Sequence, residues 1–92
     1  MFQEERSKLS KKTLDLKRAI DSITEELEAV DWYQQRADAC NNIELKKILL
    51  HNMNEEKEHA AMLIAWLKNN DNEFEKQIKK FINAKDIVKK EK

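Results

Sequence analysis

Glu55-Glu56-Lys57-Glu58-His59 decides how this chain is read, because Glu56 and His59 stand three residues apart in a stretch with no helix breaker. Residues three apart share one helix face, with Cβ atoms about 5–6 Å apart, so a carboxylate and an imidazole project side by side. Leu49 lies seven residues before Glu56, while Leu63 and Trp66 lie four and seven after His59. The polar pair therefore interrupts an apolar stripe. A charged group placed there is tolerated when it is paired or holds a metal.

Composition agrees with a helical setting. The chain has 92 residues, no glycine and no proline, and 39% of its residues are charged, with 18 basic side chains against 18 acidic. Without helix breakers or β-branched runs, it reads as all-α. A single domain this small buries little surface and needs a metal or an oligomer to support polar groups inside it. Balanced charge provides no basic field for nucleic acid or an anionic membrane. No apolar run approaches the roughly 20 residues of a membrane span, and the N-terminus lacks a secretory apolar core, so a cytoplasmic protein is expected. Cys40 is the only cysteine, which excludes an intrachain disulfide and leaves a thiol expected to be at least half-buried.

Residues 1–8 lack an apolar period and are expected to fray, with Ser7 or Ser10 capping the first helix. Leu16, Ile20, Ile23, Leu27 and Val30 recur at alternating fours and threes, which predicts a helix over 9–39, on the order of 40 Å long. Asn41, with Glu44 three later, has the capping-box pattern and opens a second helix over 42–68. Leu45, Leu49, Asn52, Glu56, His59, Leu63 and Trp66 run down one face of it; Trp66 and Met62 read as core. The short connection makes the two helices an antiparallel hairpin. Asn69-Asn70-Asp71-Asn72 reads as a turn, and a third helix over 72–84 carries Phe74, Ile78, Phe81 and Ile82 on one edge, with Glu75 in its capping position. Residues 85–92 read as a charged tail.

On the first helix Glu26 breaks the stripe, with Ile23, Val30 and Tyr33 on its face. Alone, it reads as an edge glutamate whose head reaches water. In an antiparallel hairpin, however, it lies level with Glu56 and His59. Carboxylate-bridged di-iron and di-manganese bundles take one Glu from each of two helices and one Glu-x-x-His from each of two others. This chain holds half of that set, so two hairpins must meet, and a homodimer with the metals on its two-fold axis is expected. Four carboxylates and two imidazoles suit iron or manganese. Tyr33 stands where it can hydrogen-bond Glu26, although a packed tyrosine is the commoner case. Glu25, Glu28 and Trp32 share a different face; with Asp31 they read either as solvated surface or as an acidic site that draws cations in. His51 reads as surface or interface, since no His-Glu-x-x-His motif exists here.

Three blocks carry a resemblance to a known family: Glu25-Glu26-Leu27-Glu28-Ala29-Val30-Asp31-Trp32-Tyr33; Asp38-Ala39-Cys40; and His51-Asn52 followed by Glu55-Glu56-Lys57-Glu58-His59-Ala60-Ala61-Met62. Over about residues 15–82 the chain resembles the encapsulated ferritins, the ferritin-like cargo of encapsulin nanocompartments. The resemblance implies a hairpin with a short third helix, pairing into a four-helix ferroxidase dimer and then into a decameric ring of dimers. It implies Glu26, Glu56 and His59 as catalytic iron ligands, Glu25 and Glu28 as a secondary metal site near Trp32, and Tyr33 beside the centre. Such proteins oxidise ferrous iron with dioxygen, and the surrounding shell encloses the mineral. Members acting as separate cargo end in an apolar, glycine-containing docking peptide, which this glycine-free sequence lacks. Such a peptide lies outside this sequence, the domain is fused to its shell, or docking differs. The alternative is a non-enzymatic helical oligomer, a metal-binding or structural module in which the same carboxylates stabilise an interface.

Overall fold

The computed structural model describes residues Met1–Lys92, all helical where regular: α1 Lys11–Ala39, α2 Ile43–Asn70, α3 Asn72–Phe81 and α4 Ile87–Glu91, after a 3-10 turn at Arg6–Lys8. Each α-helix starts at a side-chain cap. Ser10 Oγ accepts from the Thr13 N–H at 3.1 Å, and Asn42 Oδ1 from Leu45 N–H at 2.9 Å. Asp71 Oδ1 accepts from Phe74 N–H, and Asp86 Oδ1 from Lys89 N–H, both at 3.0 Å. Each cap satisfies one of the donors that a helix start leaves unpaired.

Local readings shift by a residue or more. Asn42, rather than Asn41, caps α2, so Leu45 rather than Glu44 occupies the third helical position. The asparagine cluster is not an open turn: α2 continues through Asn70, whose side chain donates to the Trp66 carbonyl at 2.8 Å. Only Asp71 leaves helical geometry, with φ −143° and ψ 106°, and it also caps α3 in place of Asn72 and Glu75. The arm expected to fray has its 3-10 turn, with Phe2 lying against Lys17 and Arg6, whose cationic groups are 4.9 and 5.7 Å from the ring centre. The tail forms α4, because Asp86 supplies a cap that starts one further turn.

α1 and α2 pack side by side as the hairpin, α3 rests on α2, and α4 on α3. Their seam follows Ala19, Ile23, Glu26, Val30, Tyr33 and Ala37 on α1, and Leu49, Met53, Glu56, Ala60, Leu63 and Leu67 on α2, all buried or half-buried. Both rows step by alternating fours and threes, the spacing that keeps two long helices in contact. Small residues near both ends of the α1 row and at Ala60 let the helices approach closely. Buried residues number five of 92: Ala19, Ala37, Met53, Ala60 and Leu67. This hairpin has a seam rather than a closed core.

The expected apolar stripes lie partly off that seam. Ile20 and Leu27 on α1 are exposed, as are Leu45, Met62 and Trp66 on α2. Met62 and Trp66 are therefore not core within one chain. The apolar positions of each helix fit two overlapping fours-and-threes stripes, and packing selects one of them.

Candidate metal centre

Midway along the hairpin the seam turns polar, and Glu26 of α1 meets Glu56 and His59 of α2 there. Their ligand-type atoms all lie within 4.8 Å of one another, forming the one such group of three or more in the molecule. His59 Nδ1 is 3.6 Å from Glu26 Oε2 and 3.7 Å from Glu56 Oε2. Those separations exceed a hydrogen bond, so the three groups converge without satisfying one another. Glu26 Oε2 is buried and has no hydrogen-bond partner. An orphaned carboxylate oxygen inside a protein is costly, and a bound cation is one of the few partners that relieves the cost.

Exposure differs within the group. The two glutamate side chains are each 24% exposed, whereas His59 is 47% exposed, the reverse of a histidine lodged in a core. Glu26 and Glu56 occupy the seam, and His59 stands at its rim on one open side of the hairpin. Trp66, seven residues on, shares that side, and Leu63 and Trp66 line a cleft there with Asp15, Arg18, Ala19 and Ser22. The donor set is two carboxylates and one imidazole, hard to intermediate in character, with one edge open to a further ligand.

The remaining candidates do not join this group. Glu25, Glu28 and Trp32 are exposed and are not part of any convergent set of three donors within the chain. Tyr33 is half-buried on the seam, seven residues from Glu26. His51 pairs loosely with Glu55 at 3.6 Å on the surface. Cys40 is half-buried in the interhelical connection, its Sγ 3.6 Å from the Asn42 carbonyl. One participant escaped the sequence reading: the Arg36 guanidinium lies 5.9 Å from the Trp32 ring centre and 5.6 Å from that of Tyr33. Its spacing of four and three from the two aromatics was the signal available.

Fold and site together define a helical hairpin that gathers two carboxylates and an imidazole, a group that could hold a metal ion, on an open seam. Residues 1–85 match the EncFtn-like family, and the chain belongs to it. It is 50% identical over 74 residues to the "Encapsulated ferritin-like protein" of Rhodospirillum rubrum, covering 80% of this chain and 53% of that protein. To the "Ferritin-like protein" of Thermotoga maritima it is 48% identical over 69 residues, covering 75% of this chain and 60% of that protein. The chain thus spans between half and two-thirds of these relatives' length. Its fold also matches the crystal structure of protein ne0167 from Nitrosomonas europaea, with a TM-score of 0.88 and 49% identity over 92% of this chain and 93% of that one. No helix is long and apolar enough to cross a membrane.

Proposed function

We propose that this protein is a ferroxidase that oxidises Fe2+ to Fe3+ with dioxygen at a centre shared between two copies of the chain. The observation that carries this reading is the buried, partnerless Glu26 Oε2 facing Glu56 and His59 on an open seam. One chain supplies one lone glutamate and one Glu-x-x-His, half of the ligand set of a dinuclear carboxylate site. A second hairpin applied to the same side supplies the other half and covers Trp66 and Met62. Each has apolar surface exposed in the single chain.

The residues divide the work by chemistry. Glu26 and Glu56 bind ferrous iron as substrate; in the pair of chains their four negative charges balance two Fe2+. His59, as neutral imidazole, adds a nitrogen donor at the rim without adding charge. Carboxylates favour the more highly charged Fe3+ electrostatically, which lowers the cost of removing an electron from each ion. At one pair of ions, two Fe2+ give one electron each to one O2, which takes up two protons. In this reading Tyr33 orients Glu26, and Glu25 and Glu28 beside Trp32 draw cations toward the centre through their charge.

The names of the family and of the relative support iron storage within an encapsulin shell as the setting; in this reading the dimers form a decameric ring in the cytoplasm. The test is oxidation of Fe2+ under air, followed by absorbance of the ferric product. Glu26→Ala, Glu56→Ala and His59→Ala are each expected to slow it at least tenfold, the size of change that loss of a metal ligand or its support commonly produces. Variants as fast as the parent would overturn the assignment.

A further inference from the structure

Met62 stands on the metal side of the hairpin, outside both the seam and the donor set. It follows His59 by three residues and precedes Trp66 by four, so on α2 it lies about 60° around the helix from the first and about 40° from the second. Its side is the open face on which the second hairpin is proposed to sit, and it is 64% exposed there. Long side chains on a helix lean toward its N-terminus and cover the preceding turn. For Met62 that turn carries Glu58 and His59. Three rotatable bonds and a polarizable sulfur let a methionine settle against such a rim.

The chain's other two methionines are placed differently. Met53 is 6% exposed, closed inside the seam. Met1 is 96% exposed, and its neighbour Phe2 lies against Lys17, nine residues before Glu26 and so about 180° around α1 from it. Access from bulk water therefore ranks Met1 first, whereas an open position one turn from the donor set singles out Met62. The balance of the proposed reaction makes that difference chemical. Two Fe2+, one O2 and two protons give two Fe3+ and one hydrogen peroxide, released on the face that carries Met62. Thioethers are oxidised to sulfoxides. One peroxide oxygen bonds to the Met62 sulfur, the O–O bond breaks, and the other oxygen leaves as water with both protons. The sulfur loses two electrons and the peroxide gains them.

We propose that Met62 is an oxidation site that takes up hydrogen peroxide made at the metal centre and, as the sulfoxide, loosens the pairing of the two chains. This role rests on the ferroxidase reading, which supplies the oxidant. The peroxide arises beside Met62, so it needs no path through bulk water even when a second hairpin covers that face. Oxidation replaces a flexible apolar side chain by a polar one. A polar group closed into an apolar contact without a partner weakens that contact. Turnover then limits itself, and enzymatic reduction of the sulfoxide resets the chain.

Peptide mass spectrometry of the full chain tests the site, with Met1 as the internal reference. After Fe2+ oxidation under air, with catalase present to clear bulk peroxide, sulfoxide at Met62 is expected to exceed that at Met1 by about tenfold or more, because a source on the same face raises the local concentration. Hydrogen peroxide added to the metal-free protein is expected to oxidise Met1 at least as fast as Met62. Equal oxidation of the two during turnover, or loss of the Met62 sulfoxide when catalase is present, would overturn the site. Pairing is read by native mass spectrometry with Fe2+ under anaerobic conditions. Met62→Gln, which is polar like the sulfoxide, is expected to pair about tenfold more weakly than Met62→Leu, and methionine sulfoxide reductase with dithiothreitol to restore the pairing of oxidised parent. Equal pairing of the two variants would overturn the loosening. Failure of the ferroxidase reading has a separate signature: Fe2+ is consumed no faster than in protein-free buffer, and Met62 loses its oxidant.

Discussion

Glu26 is the residue at which stability and proposed activity oppose each other. Its Oε2 is buried without a partner, and its neighbours across the seam are another carboxylate and a histidine beyond hydrogen-bond range. An unsatisfied buried polar group costs about 1–3 kcal/mol. Glu26→Leu extends the Ile23–Val30 row and removes that cost. The metal-free variant is therefore expected to melt several degrees above the metal-free parent while losing Fe2+ oxidation, a trade common at functional sites. Thermal unfolding in chelator checks this; a lower melting temperature would show that Glu26 is satisfied by contacts within the hairpin. His59 behaves differently. Standing at the rim, it contributes little to the seam, and its replacement is expected to spare the fold.

At the level of the elements, the helices are held individually by caps and by ion pairs one turn apart. Asp15 accepts from Arg18 at 2.7 Å and lies 3.4 Å from Lys11, and these cations hold its carboxyl below the ordinary carboxylate value. Lys79, 2.6 Å from Glu75, does the same on α3. A carboxyl whose folded pKa is depressed contributes its stability in full above the unfolded value, about 4, and loses it as pH falls through the lower folded value. Asp15→Asn is therefore expected to lower the melting temperature at pH 7, with the difference from the parent vanishing near pH 2. Helicity followed by circular dichroism across that range decides it, and a difference unchanged at low pH would exclude Asp15 as the source. These pairs are solvent-exposed, so salt should shrink the effect.

Only for the molecule taken entire does the chain's small core make sense. With five buried residues, a hairpin measuring 49 × 39 × 19 Å with α3 and α4 has most of its apolar side chains at least partly open to water. In the proposed dimer, association supplies the burial that one chain lacks, and a cation bound between copies adds its binding free energy to the folded assembly. Adding Fe2+ anaerobically is accordingly expected to move the population to larger species and to raise the melting temperature, both reversed by chelator. Native mass spectrometry reports subunit number and metal per chain together. A monomer whose mass ignores metal would remove the shared centre from consideration.

The sequence was sufficient for the three main helices and for the three side chains that the hairpin brings together. Absence of glycine and proline, the caps at Ser10 and in the asparagine run, and the fours-and-threes spacing are local properties, so they specify helices without reference to the rest of the fold. Glu26, Glu56 and His59 were legible because each interrupts an apolar stripe, and counting them against a dinuclear ligand set is what makes one chain half of the proposed site. The choice of seam was left to tertiary structure. Leu16, Ile20, Ile23, Leu27 and Val30 satisfy helical spacing as well as Ala19, Ile23, Glu26, Val30 and Tyr33 do. Close approach favours the row with alanines at its ends, where two backbones can near each other. That choice puts both glutamates on the inside, turns His59 to one open face and Leu27 to the other, and thereby makes Glu56 and His59 the joint between the seam and the open face on which the second chain is proposed to sit.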